Sequence, residues 1–264
     1  MLLEAADLTF DYGAEPVVEA VSLAVEPGSL TGVLGPNGSG KTTLLRLLAG
    51  TLSPSRGSVR LDGRTLADWP RRHLARRLAV VPQETHLAFD YTVVEIALTG
   101  RYPHLGPFEL EGPDDVALAR EALSATGTQH LERRLFSTLS GGEKQRVVIA
   151  SALAQFGRQR ESGALLLLDE PTASLDLHYQ LEIGTLLKRL NAERGITVIV
   201  STHDLNFAAS ICRDLVLLQD GHVVTSGPTT RVLDRAAVRQ LYGVDADVRF
   251  HDAAGHLTVV PLGG

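Results

Sequence analysis

Lys41 closes the run Gly35-Pro36-Asn37-Gly38-Ser39-Gly40 and is followed by Thr42 and Thr43. The run fits G-x-x-x-x-G-K-[ST]. Glycines let a backbone turn sharply and approach a ligand closely. Successive N–H groups then form a nest for an anion. A helix beginning at the lysine adds its positive end. Such a loop suits a nucleotide's phosphates, with Lys41 reaching the β and γ phosphates and the Thr42 hydroxyl reaching a Mg²⁺ ion. The pattern fixes few positions, so a strand–turn–helix corner with a chance lysine would share it.

Two further groups complement the loop. The apolar run Leu165–Leu168 ends in Asp169-Glu170. A strand ending in two acids presents them at the carboxyl edge of a sheet, where ligands bind in open α/β folds. Asp169 suits a Mg²⁺ role and Glu170 suits polarisation of an attacking water. Alone, the pair reads equally well as two solvated acids. Leu139-Ser140-Gly141-Gly142-Glu143 precedes the helical run Val147–Ala154. It is either a second anion-binding helix start or a simple capping box of Ser140 and Glu143.

These groups need elements to hold them. Residues 2–34 read as short strands with turns; Val21, Leu23 and Val25 alternate with Ser22 and Ala24 before the Pro27-Gly28 turn. Residues 41–49 read as helix, 78–81 as strand, and 92–135 as largely helical around the loop Gly100–Pro113. Ala164–Leu168 and Ile196–Ser201 are short apolar runs followed by helical patterns. Strands alternating with helices predict a parallel sheet covered on both faces, with 92–135 inserted in it. Arg71–Arg77 reads as a solvated helix face and Gly157–Gly163 as a surface loop.

Bulk composition narrows the function. The chain has 264 residues, 44% hydrophobic, and a net charge of −6. The acidic balance argues against a general nucleic-acid binder. Cys212 is the sole cysteine; it allows no intrachain disulfide, fits a reducing compartment, and reads as a small buried hydrophobe. The N-terminus lacks the make-up of a secretory signal, and no apolar stretch approaches the ~18 residues of a membrane span. Any membrane role is therefore expected to come through a partner.

Together the groups resemble the ATPases of the ABC family, over nearly the whole chain. Gly35–Thr42 matches its Walker A loop, Leu139–Glu143 its signature, Leu165–Glu170 its Walker B strand and Ser174-Leu175-Asp176 its D-loop. Gln83 in Val80-Val81-Pro82-Gln83 matches the Q-loop. His203 in Ser201-Thr202-His203-Asp204 matches the switch histidine, and Tyr12 the aromatic that stacks on adenine. Singly, these three have plain readings: a strand tyrosine, a loop glutamine, a hydrogen-bonded histidine. The resemblance implies a P-loop NTPase (RecA-like) α/β core with a mostly parallel sheet, an N-terminal antiparallel β subdomain and an inserted helical subdomain at about 87–140. A short extension at about 228–264 would hold a helical pair and a strand.

The resemblance also implies ATP and Mg²⁺. Tyr12, Gly35 through Thr43, and Ser140, Gly141 and Gly142 would bind nucleotide. Thr42, Gln83 and Asp169 would hold metal, and Glu170, His203, Lys41 and Gln83 would act in catalysis. Two copies would pair head to tail, each signature meeting ATP on the other copy. A finer similarity is to the importer ATPases for iron–siderophore complexes, haem and cobalamin. It lies in Tyr91-Thr92-Val93-Val94-Glu95, Gly100-Arg101-Tyr102-Pro103-His104, Ser174–Gln180 and the tail Leu241-Tyr242-Gly243-Val244. It implies two transmembrane permease subunits, indirectly a substrate-binding protein, and a place on the cytoplasmic face of the inner membrane. The permease groove would lie between Gln83 and about Leu105. The alternatives are an exporter subunit and a soluble ATPase of iron–sulfur cluster assembly.

Overall fold

The computed structural model of the chain describes residues 1–13, 15–85, 89–157 and 163–262. Strands β1 (Leu3–Asp11), β2 (Pro16–Val25) and β3 (Leu30–Leu34) lead into helix α1 (Lys41–Leu48). Then come β4 (Arg56–Leu61), β5 (Arg64–Thr65), α2 (Arg71–Ala75), β6 (Leu78–Val81), α3 (Val93–Thr99), α4 (Pro113–Ala125) and α5 (Gly141–Phe156). β7 (Leu165–Asp169), α6 (Leu177–Arg194), β8 (Thr197–Thr202), α7 (Leu205–Ile211), β9 (Asp214–Gln219) and β10 (His222–Pro228) follow. α8 (Thr229–Val232), α9 (Arg235–Tyr242) and the hairpin β11 (Ala246–His251) and β12 (His256–Pro261) come last.

Six strands form the central sheet in the order β10-β9-β3-β8-β7-β6. All neighbours are parallel except the antiparallel pair β9–β10. Every residue of β3, β7 and β8 is buried, which explains why these strands read as unbroken apolar runs rather than alternations. Successive side chains still serve opposite faces. Leu166, Leu168, Val198 and Val200 join the core beneath the helices α5 to α7. Leu165, Leu167 and Ile199 join a second core, which α1 fills with Leu44, Leu45, Leu47 and Leu48. The antiparallel sheet β2-β1-β4-β5 closes that second core. The architecture is the mixed α/β arrangement that the family resemblance implies.

Local readings differ in four places. The first two strands within 2–34 are long, not short: β1 has 9 residues and β2 has 10. Shifts of register near Asp7, with its φ of 54°, interrupt their alternation and hide their length. Residues 92–135 hold the expected loop between α3 and α4, but the stretch 126–135 is less helical than expected, with only a short helical turn at Gln129–Leu131. The tail carries a hairpin rather than one strand. The run Arg71–Arg77 is not uniformly a solvated face. Arg76 donates to the Pro103 carbonyl at 2.9 Å, and Arg77 pairs with Asp62 and donates to the Gly163 carbonyl. Cys212 is buried as expected, and burial pushes its thiol well above the usual range. Most of the expected Gly157–Gly163 loop lies outside the described residues, as do residues 86–88 of the expected groove.

Candidate active site

Parallel strands end on one side, so the topology alone gathers three segments. β3 runs into the glycine-rich loop, β7 into Glu170 and β8 into His203, and β8 lies between the other two. The loop's conformation requires its glycines. Gly38 and Gly40 have φ of 83° and 97°, a region costly for other residues. A Cβ at Gly40 would stand 2.6 Å from the Val17 carbonyl, and one at Gly35 would strike the Leu218 carbonyl. The Gly221 N–H, at the β9–β10 turn, donates to the Ser39 carbonyl at 3.1 Å. Strands β2 and β9 thus press on the loop and fix its shape.

Helix α1 begins at this loop without any side-chain cap. The first N–H groups of a helix have no partner within it, which suits an anion. The Ser39 hydroxyl, 2% exposed, is left without a hydrogen-bond partner among the described residues. A buried donor in that position fits a phosphate oxygen.

Lys41 and Glu170 form the centre of the site. Lys41 Nζ stands 3.0 Å from Glu170 Oε1, and the two side chains are only 5% and 8% exposed. The ammonium also donates to the Gly35 and Pro36 carbonyls, each at 3.0 Å. The other carboxylate oxygen of Glu170 lies 2.6 Å from His203 Nδ1. Buried charges persist only when paired and hydrogen-bonded, and here each has several partners. Glu170 itself has φ of 45°, a left-handed conformation a glutamate adopts only when its surroundings impose it. The imposing group is Ser201, whose hydroxyl accepts from the Glu170 N–H at 3.0 Å and donates to Asp169 Oδ1 at 2.6 Å.

Ser201 was not among the expected site residues. A signal existed: a serine inside the apolar run Thr197–Thr202 must find a partner once buried, and its carboxylate neighbours at the end of β7 are the natural ones.

The remaining expected residues divide into two sets. Tyr12 is 59% exposed beside the loop. It packs edge-on against Phe10, and its hydroxyl lies 3.5 Å from Thr43 Oγ1. Gln83, Gly141, Lys144, Gln145, Glu170 and Leu175 line one cleft of about 300 Å³. Ser140 and Gly142, in contrast, are engaged by their own chain. The Ser140 hydroxyl accepts from the Glu143 N–H at 3.3 Å, and the Glu143 carboxylate accepts from the Ser140 N–H at 2.8 Å. Those hydrogen bonds, the backbone one foremost, hold the Glu143 carboxyl below its usual range against the opposing effect of burial. Gly142 is packed beneath the Tyr179 ring, which a Cβ would overlap.

The profile of the ABC transporter family matches residues 18–173. The hemin import ATP-binding protein HmuV of Gloeobacter violaceus is 44% identical over 99% of this chain and 94% of its own length. The chain belongs to the ABC transporter family. It is an ATPase cassette of that family. HmuV of Pseudomonas entomophila is 42% identical over 98% of this chain and 99% of its own length. Among solved structures, a transporter assigned to the metal-chelate type, in an inward-facing conformation, superposes with a TM-score of 0.85 at 30% identity. The match covers 99% of this chain and 97% of that one. The cassette MJ0796, solved as a dimer in a post-hydrolysis state with ADP and Pi, gives 0.72 at 29% identity, covering 86% of this chain and 99% of that one.

In an ABC ATPase the electrostatics just described have a direct use. Lys41 holds a carboxylate where a phosphate oxygen could exchange with it, since both are anions and the ammonium can pivot from one to the other. The oxygen set of Thr42 and Asp169 suits Mg²⁺, a hard cation. The Ser201 bond to Asp169 Oδ1 fixes that carboxylate.

Proposed function

We propose that the chain is the ATP-hydrolysing subunit of an importer that moves hemin, or a closely similar metal chelate, through a separate membrane permease. The observation that carries this reading is the full-length similarity to relatives named hemin import ATP-binding proteins, from 44% identity downward. The metal-chelate class of the superposed transporter supports it. The bonded set Lys41–Glu170–His203 supports the ATPase half of the reading.

In the proposed mechanism ATP lies in the loop Gly35–Thr43 with its adenine against Tyr12. Lys41 exchanges the Gly35 and Pro36 carbonyls and Glu170 for phosphate oxygens. That exchange releases one oxygen of Glu170 to polarise a water for attack on the γ-phosphorus, giving ADP and Pi. His203 turns from Glu170 to the γ-phosphate. Thr42, Asp169 and Gln83 would hold Mg²⁺, which offsets phosphate charge when bound. A second copy would supply Ser140, Gly141 and Gly142 to the same nucleotide. This chain carries one loop and one signature, and a related cassette is itself known as a dimer. No helix among the described residues is long and apolar enough to cross a membrane, so the importer reading places the chain at the inner face of the membrane through its permease. The groove between Gln83 and Leu105 would receive that permease.

The test is co-purification of the tagged Glu170→Gln protein with ATP from native membranes, followed by reconstitution of whatever permease accompanies it with the wild-type chain in place of the variant. ATP-dependent uptake of hemin by the vesicles is expected. Uptake of a ferric siderophore or cobalamin in place of hemin would reassign the cargo. Recovery of iron–sulfur assembly proteins without a permease would overturn the transport reading.

A further inference from the structure

The C-terminal residues fasten the segment around His203 from two sides. Tyr242, the last residue of α9, donates its hydroxyl to the main-chain carbonyl of His203 at 3.0 Å. Two residues past Asp204, Asn206 exchanges a pair of hydrogen bonds with Val259 of β12: its amide donates to the Val259 carbonyl at 3.1 Å and accepts from the Val259 N–H at 2.8 Å. Between them, Asp204 caps α7 through the N–H groups of Asn206 and Phe207, each at 2.9 Å. The histidine that meets Glu170 thus sits on a short bridge between β8 and α7, and the tail grips both ends of the bridge.

We propose that Tyr242 is a positioning residue for ATP hydrolysis: its hydrogen bond to the His203 carbonyl sets where the imidazole stands relative to Glu170. The reasoning is geometric. An imidazole is carried only two rotatable bonds from its backbone, so a backbone shift passes almost undiminished to Nδ1. His203 is 43% exposed and therefore weakly confined by packing, which leaves the backbone as the main restraint. A donor on the carbonyl of the same residue is the most direct restraint available. Burial, with Glu170 and Asp204 nearby, raises the Tyr242 phenol well above its usual range, so it remains a donor at any pH at which the enzyme works. Sub-ångström placement matters in catalysis because misplaced groups lose large factors in rate. This inference rests on the reading of His203 as a catalytic group, and is independent of the cargo.

The experiment compares Tyr242→Phe with Arg239→Ala and His203→Ala in the full chain. Arg239→Ala removes a contact of Arg239 with Asp245 inside the tail and leaves the Tyr242 hydroxyl alone. Tyr242→Phe is expected to lower kcat about 3- to 10-fold with KM for ATP within twofold and Tm nearly unchanged, of the order expected for a misplaced group. Arg239→Ala should leave kcat near wild type. Of the nine histidine ring resonances, that of His203 should shift in Tyr242→Phe while the rest stay. Equal kcat losses in the phenylalanine and Arg239→Ala variants would overturn the proposal, since general loosening of the tail would then suffice. So would an unmoved His203 resonance, or an unchanged kcat. If His203→Ala itself hydrolyses ATP normally, the fault lies in the catalytic reading of His203 and not in the hydrogen bond, which the resonance reports separately.

Discussion

Two helices of the molecule begin at glycine-rich turns, and they are held in opposite ways. α1 starts at Gly40 with no side-chain cap, pressed from outside by Val17, Leu218 and Gly221. α5 starts at Ser140 with a complete capping box. The difference concerns where unsatisfied N–H groups go. The first turn of α1 has no side-chain cap and takes its rigidity from neighbouring strands. The first turn of α5 satisfies its third N–H internally, through Ser140, and leaves those of Gly141 and Gly142 at the start of the helix. The α1 end is therefore the proposed phosphate site, and its shape is imposed by the fold. The α5 end is stable by itself, with Gly141 exposed, as suits a surface that meets its ligand only when another molecule brings it.

Breaking the α1 end should have the largest consequence. Lys41→Ala removes the cation that serves both Glu170 and the proposed phosphate. ATP turnover should fall at least ~100-fold, the scale of losing one charge-stabilising donor. Turnover near wild type in a coupled phosphate-release assay would remove Lys41 from the chemistry. Glu170→Gln comes next. It keeps the shape of the side chain and its place between Lys41 and His203 but cannot polarise water as a carboxylate does, so turnover should fall ~100-fold or more. ATP binding should survive, and light scattering at high protein concentration should show an ATP-dependent dimer. A strictly monomeric protein at saturating ATP, with and without Mg²⁺, would count against the shared-nucleotide arrangement.

The α5 end should respond in its own stability as well as in turnover. Gly142→Ala forces a methyl group into the Tyr179 ring, an overpacking expected to cost about 1–3 kcal/mol. At this chain length that lowers Tm by roughly 2–4 °C per kcal/mol. Tyr179→Ala in the same chain should recover part of the loss attributable to the clash. Failure to recover any of it would place the cost in the backbone instead. Ser140→Ala should cost less, about 1 kcal/mol for a lost cap. A larger effect on ATP turnover than on Tm would show that the serine serves the nucleotide as well as its helix.

The two ends also differ in how plainly the sequence announces them. Short motifs specify Lys41, Glu170 and Ser140: the loop of Lys41 follows the apolar strand β3, Glu170 follows β7, and Ser140 opens a helix, and a run of buried β-strand is legible without any partner. The central sheet's strands are legible for the same reason: β3, β7 and β8 are short, wholly buried and separated by helical patterns. What the sequence hides is pairing. Nothing in Lys41 or His203 says that both will close on Glu170, because those contacts depend on β8 lying between β3 and β7. Ser201 is hidden by its ordinariness, and Tyr242 because its partner is a main-chain carbonyl, which every residue has. β1 and β2 were misjudged in length because register shifts break the two-residue period on which strand reading depends.

The smallest expected effect separates the two helix starts by pH. Glu143 belongs to the α5 cap, and its carboxyl is held below its ordinary value of 4.5 chiefly by the Ser140 N–H. A carboxyl depressed in the folded chain contributes stability that is fully present above its unfolded value and is lost as pH falls through the folded value. Wild type should therefore exceed Glu143→Gln in stability at neutral pH, and the gap should shrink once pH drops below about 4.5. A glutamine can still accept from the Ser140 N–H, so the gap measures the charge and not the whole cap, and a few tenths of a kcal/mol is the expected scale. Denaturant melts of both proteins between pH 7 and pH 4 measure it directly. A gap that stays constant across that range would mean that Glu143 acts as a neutral acceptor. The α5 start would then be held by shape, as the α1 start is, and the contrast between the two ends would reduce to the presence of Ser140.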